Sequence, residues 1–159
     1  MPASSVESQL LTVPISQLDL ADYCLVTADT TVRETVEQMR DLHQNCAIIV
    51  GKGTHIVGIL TDRDVLKRVV THPETWDQSV ESVMTEAPDT IRQSATTGAA
   101  LHMMEDGHYR NVPVVNDKGV IRGNVTYYAI LKFLTDHFAD VVYNLPPDPT
   151  NFAQDRHGG

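Results

Sequence analysis

Cysteine is rare in this chain and basic residues are outnumbered: two Cys in 159 residues, and 12 Lys+Arg against 21 Asp+Glu. Cys24 and Cys46 have neither CxxC spacing nor the density of a disulfide framework, so they are expected as free buried thiols in a reducing cytoplasm. The formal net charge of −9 comes from acidic residues spread along the chain. Such a field repels nucleic acid phosphates and anionic membranes, which excludes both as expected partners. No stretch approaches the roughly 18 consecutive apolar residues of a membrane span. The opening segment MPASSVESQLLTVP lacks a basic start followed by a long apolar run, so neither export nor insertion is expected. GxSxG, HExxH and Walker-type glycine loops are also missing, and the seven histidines show no metal-ligand spacing. No catalytic residue, metal or required cofactor is expected; His102 with His108 is the only metal pair worth weighing.

What the chain does contain is a repeat. Hydrophobic residues make up 42%, enough for one compact domain or two half-size units sharing a core. Sliding residues 31–70 by 65 positions onto 96–135 gives ten identities without a gap, among them Thr31/Thr96, His43/His108, Gly58/Gly123, Thr61/Thr126 and Leu66/Leu131. Random matching over 40 positions gives roughly two or three, so duplication is the better explanation.

Each copy reads as helix, hairpin, helix, with a short strand leading in. TTVRETVEQMRDLH places Val32, Val36 and Met39 at helical spacing behind a capping threonine, and TTGAALHMMEDGHY is its counterpart. CAIIV, a GKG turn and HIVGIL predict a hairpin; NVPVV, NDKG and VIRGNV repeat it. TDRDVLKRVV and TYYAILKFLTDHF then open on a threonine cap. The expected fold class is α/β (α+β), with units at 15–72 and 73–138. The second unit includes the proline-punctuated connector 71–93. Residues 1–14 are a lead-in, and 139–159, rich in proline and polar residues, are expected as an extended or flexible tail, with a subunit-wrapping arm as the alternative.

The strand-to-helix junction GILTDRD carries the chemistry. Gly58 admits close approach of another group, Thr61 caps or donates, and Asp64 lies near the helix start, where backbone N–H groups favour anions. On the residues alone two readings stand: ligand binding, or Asp62 and Asp64 complementing the helix dipole, worth about 0.3–1 kcal/mol.

The pattern glycine, two apolar residues, threonine, any two, aspartate after a hairpin, with the VMT lead-in at 83–85 and the RNVPVVNDKG hairpin, resembles a tandem pair of cystathionine-β-synthase (CBS) domains over roughly residues 15–138. The resemblance implies two halves, each a small sheet with two helices, packed about a pseudo-two-fold axis, and often a homodimer. It also implies a non-catalytic module that senses an adenine nucleotide (AMP, ADP or ATP), or S-adenosylmethionine, in a cleft between the halves and regulates a partner protein. Asp64 would then accept both ribose hydroxyls, an exchange suited to an ionised carboxylate. Thr61 would contact ribose or phosphate, and Thr31 the base or sugar side. Arg110 would serve either cleft and Arg63 the second, for phosphate, with His43, His108 and Asn111 nearby.

The second copy departs from this pattern. Thr126 remains, but Ala129 stands where Asp64 stands in the first. Loss of charged hydrogen bonds worth about 1.5–3 kcal/mol each leaves one good site per chain, beside Asp64. Tyr127 and Tyr128 either stack on a base there or fill the space. Two other readings remain: a homodimeric docking module with vestigial nucleotide sites, and a cyclic di-AMP receptor.

Overall fold

The computed structural model describes residues 3–143 and shows how two copies of one unit exchange their lead-in segments. Helix α1 (Ala3–Thr12) precedes β1 (Cys24–Thr27), α2 (Val32–Asp41), β2 (Cys46–Val50), β3 (Ile56–Thr61) and the short α3 (Asp62–Asp64). A wider π-type turn, Val65–Val69, continues α3, with the Val70 N–H reaching back to the Val65 carbonyl. The second half has β4 (Thr85–Glu86), β5 (Ile91–Arg92), α4 (Thr97–Gly107), β6 (Asn111–Val115), β7 (Ile121–Thr126) and α5 (Tyr127–Tyr143). No helix among the described residues is long and apolar enough to cross a membrane.

The local causes are legible in the residues. Thr31 accepts from the Glu34 N–H while the Glu34 carboxylate accepts from the Thr31 N–H, a reciprocal cap that starts α2. Thr96 caps α4 through the Ala99 N–H. β2 is apolar and β-branched and buried throughout, because it lies between β1 and β3 in a sheet ordered β1-β2-β3-β4. The other sheet runs β5-β6-β7, and the repeat is kept even in its irregularities: the register slips at Ile49/Val50 in one hairpin and at Val114/Val115 in the other.

The halves are interleaved at their lead-ins. Val80, Val83 and Met84, which precede the second copy, are buried in the core of the first with Val26, Ile49 and Leu60. Ile15 and Leu18, which precede the first copy, are buried in the core of the second with Val112, Val114 and Val125. Two glycines make the crossings possible. A Cβ on Gly58 would lie 2.2 Å from Met84 Sδ, and one on Gly123 2.5 Å from Leu20 Cβ. The close approach expected at Gly58 is therefore made by the protein's own connector. Cys24 and Cys46 are free and buried, and burial pushes both thiols up from their ordinary range.

Two segments differ from expectation. The lead-in contains α1, whose end is tied to the second half where the Thr97 N–H and hydroxyl both donate to the Val13 carbonyl. Helix α5 runs to Tyr143, so 139–143, assigned above to the tail, are helical. The remainder of that tail, 144–159, lies outside the described residues.

Candidate functional site

Both strand-to-helix junctions open onto one cleft of about 1390 Å³ between the halves. Pseudo-symmetry places them there: the Asp62 N–H donates to the Asn45 carbonyl and the Tyr127 N–H to the Arg110 carbonyl, equivalent bonds 65 residues apart. Among the expected site residues, Thr61, Arg63, Asp64, Arg110, Asn111 and Thr126 all line this cleft. Thr31 is not among its lining residues. Its hydroxyl donates to Glu34 Oε2 (2.9 Å) in the cap of α2, and its backbone pairs with Ser79.

At the first junction, Asp64 Oδ2 accepts from the Thr61 N–H and hydroxyl, both at 3.1 Å, and the Asp64 N–H donates back to Thr61 Oγ1 at 3.3 Å. The side chain is 16% exposed, and Oδ1 lies 4.0 Å from an Arg68 nitrogen. One carboxylate oxygen thus completes a capping box while the other stays outside it, on the Arg68 side. At the second junction Thr126 Oγ1 accepts from the Ala129 N–H at 2.9 Å, the forward half of the same cap. Ala129 is buried at 3% exposure, with no carboxylate to return the bond. Tyr127 and Tyr128 stand exposed on that wall.

The basic groups converge from both halves. Arg63 and Arg110 are exposed along the cleft, and an Arg63 nitrogen reaches the His108 carbonyl at 3.4 Å, so the arginine of the first junction leans on the second half. His43 and His108 end α2 and α4 in the same left-handed conformation, each at φ 54°, and both line the cleft. Asn111 is committed internally, its side-chain oxygen accepting from Asn124 at 3.0 Å. Asp62, Asp64, Glu86 and Asp89 face these cations, so the cleft is mixed in sign.

Reading the sequence missed the connector wall. Thr85 and Glu86 pair with Ile59 and Gly58 on β3 and then turn out through Ala87 and Pro88 to line the cleft. Ala87 lies at φ 44°, in the left-handed region that costs a side chain with a Cβ of order 1–3 kcal/mol. The prolines of the connector 71–93 mark breaks in the chain but not the wall that the segment forms. Asp89 then meets the second half, accepting from the Tyr109 hydroxyl at 2.9 Å.

Burial and that hydrogen bond push Tyr109 up to about 12. Its folded value exceeds the ordinary tyrosine value near ~10, so the stabilisation is complete below pH ~10 and is lost as pH rises through about 12. In Tyr109→Phe the fall in stability across that window should flatten, read by chemical denaturation at stepped pH. Parallel profiles for the two proteins would contradict it.

Comparison with known proteins agrees with this architecture. The CBS domain family model matches residues 17–71 and 80–136, and the chain belongs to that family. It is 35% identical over 102 residues to the CBS domain-containing protein CBSCBSPB3 of Arabidopsis thaliana, a match covering 64% of this chain but only 18% of the relative's length. Among solved structures, a conserved protein from Pyrococcus horikoshii superposes with a TM-score of 0.71 at 22% identity, covering 77% of this chain and 92% of that one. A CBS domain protein from Pyrobaculum aerophilum, complexed with AMP, superposes at 0.69 and 21% identity, covering 78% and 99%. The fold is that of a CBS domain pair.

Proposed function

We propose that this chain is a non-catalytic regulatory module that binds an adenine nucleotide in the cleft between its two halves, with Asp64 as the ribose anchor. The observation that carries the reading is the asymmetry of two otherwise equivalent junctions. Both open onto the same cleft, and the first alone keeps an acidic group there, with one oxygen held by Thr61 and the other free of that cap. A vicinal diol donates two hydrogen bonds to such a carboxylate, and the cations Arg63 and Arg110 line the cleft for phosphate. The AMP complex of the Pyrobaculum protein supports this ligand class for the fold. The mixed sign of the cleft favours a mono- or diphosphate over ATP. Transmission to a partner protein would follow from any preference of the ligand for one arrangement of the halves; assembly as a homodimer in the cytoplasm belongs to the same proposal.

Isothermal titration of the nucleotide-free protein with AMP, ADP, ATP, S-adenosylmethionine and cyclic di-AMP tests it. Binding of AMP or ADP at one site per chain is expected. Absence of binding to every ligand would overturn the proposal in favour of a docking module with vestigial sites, and binding of cyclic di-AMP alone would make the protein a receptor of that kind.

A further inference from the structure

The Asp64 junction is tied to the connector by a residue whose counterpart in the other half has a different chemistry. Arg68 lies one helical turn beyond Asp64. One of its terminal nitrogens donates to the Val83 carbonyl (3.1 Å), the Met84 carbonyl (3.3 Å) and Thr85 Oγ1 (3.5 Å). Its other terminal nitrogen is the one 4.0 Å from Asp64 Oδ1. The guanidinium therefore stands between the carboxylate and the connector at the point where the chain leaves the first core, in which Val83 and Met84 are buried. A planar group with several fixed donors can hold two carbonyls and face a carboxylate at once, and an ammonium cannot reproduce that geometry.

In the second half the equivalent of Arg68 is Phe133, packed against an apolar core and stacked on His137 at 3.9 Å between ring centroids. Asp64 and Arg68 are thus present together in one half and absent together, as Ala129 and Phe133, in the other. Beyond the clamp, Thr85 and Glu86 pair with β3, Asp89 holds Tyr109, and β5 enters the second sheet. The segment 83–89 is consequently a mechanical link between the halves, fastened at one end by Arg68 and at the other by Tyr109.

We propose that Arg68 is a positioning residue that couples occupancy of the Asp64 site to the connector: a ligand that fixes the carboxylate draws Arg68 onto Oδ1 and tightens its hold on the Val83 and Met84 carbonyls. The idea rests on the nucleotide reading above. It makes a demand which direct coverage by a ligand does not, because Val83 and Met84 do not line the cleft, which begins at Thr85.

The test is amide hydrogen exchange of residues 80–84 in the full chain, with and without AMP at a concentration shown by titration to saturate each protein. In the wild type AMP should slow exchange at Val83 and Met84, whose N–H groups donate to the Val80 carbonyl, by about threefold or more. Arg68→Met should bind AMP and show the same exchange there with and without it. Arg68→Lys, which keeps the charge and serves if the Met variant fails to fold, should lose most of the effect. An AMP response at 83–84 that persists in either variant, or is absent from an AMP-binding wild type, overturns the coupling alone. A wild type that binds neither AMP nor any other nucleotide titrated above overturns the nucleotide reading and the coupling with it; one that binds ADP in place of AMP is tested with ADP in the same way.

Discussion

Asp64→Ala should weaken nucleotide binding by about tenfold to a hundredfold, the equivalent of losing one charge-assisted hydrogen bond worth about 1.5–3 kcal/mol. The same carboxylate also completes the α3 cap, so the alanine variant should lose a further, separate amount of fold stability, roughly 0.3–1 kcal/mol. Asp64→Asn separates the two roles. Its side-chain oxygen can still accept from the Thr61 N–H, so stability should stay near that of the wild type while the loss of the anionic acceptor weakens the hold on a ribose diol. Titration of both variants, alongside their denaturation midpoints, checks this. Equal affinity in wild type and both variants would show that Asp64 is a helix cap and nothing more.

Leu60→Ala should cost about 2–5 kcal/mol of stability, the range for removing a fully buried leucine and leaving a cavity. Leu60 is 0% exposed and pairs with Ala47 in the centre of the first sheet, beneath connector residues of the same core. Cores of this kind are packed to crystal density and relax only in part around a missing side chain. For a domain of this size the midpoint should fall by about 2–4 °C per kcal/mol. Leu66→Ala is the paired control. At 66% exposure it removes few contacts and should stay within about 0.5 kcal/mol of the wild type. A calorimetric scan in which the two variants melt together would contradict the assignment of the core.

The repeat made much of this molecule legible before any coordinates. Ten identities at one spacing, together with hairpin and capping signals that agree in both copies, leave few folds open, and β2, β3, β6, β7, α2 and α4 lie where those signals put them. The pairing of Thr61 with Asp64 was legible for the same reason: a threonine followed three residues later by an acid is a local signal, and the cap it forms is local. The crossing of lead-ins was not legible. Nothing local in LLTVPISQ says that Ile15 enters the core of the second copy, because that contact joins residues far apart in sequence. Thr31 stands apart from the cleft for a local reason. Its pattern matched a ligand-contacting position by resemblance, yet the same residues, TVRE, write a capping box, and the hydroxyl is used there. Arg68 reads in the sequence as one more charge on an exposed helix face. Its hydrogen bonds go to carbonyls 15 and 16 residues away, which no periodicity displays.

A crystal structure of the protein grown with AMP decides whether Asp64 holds the ribose. One AMP per chain is expected in the cleft, with its 2′ and 3′ hydroxyls within about 3.2 Å of Asp64 carboxylate oxygens, and no nucleotide at the Ala129 junction. A ribose seated against Ala129 and Tyr127, or AMP bound outside the cleft altogether, would contradict it.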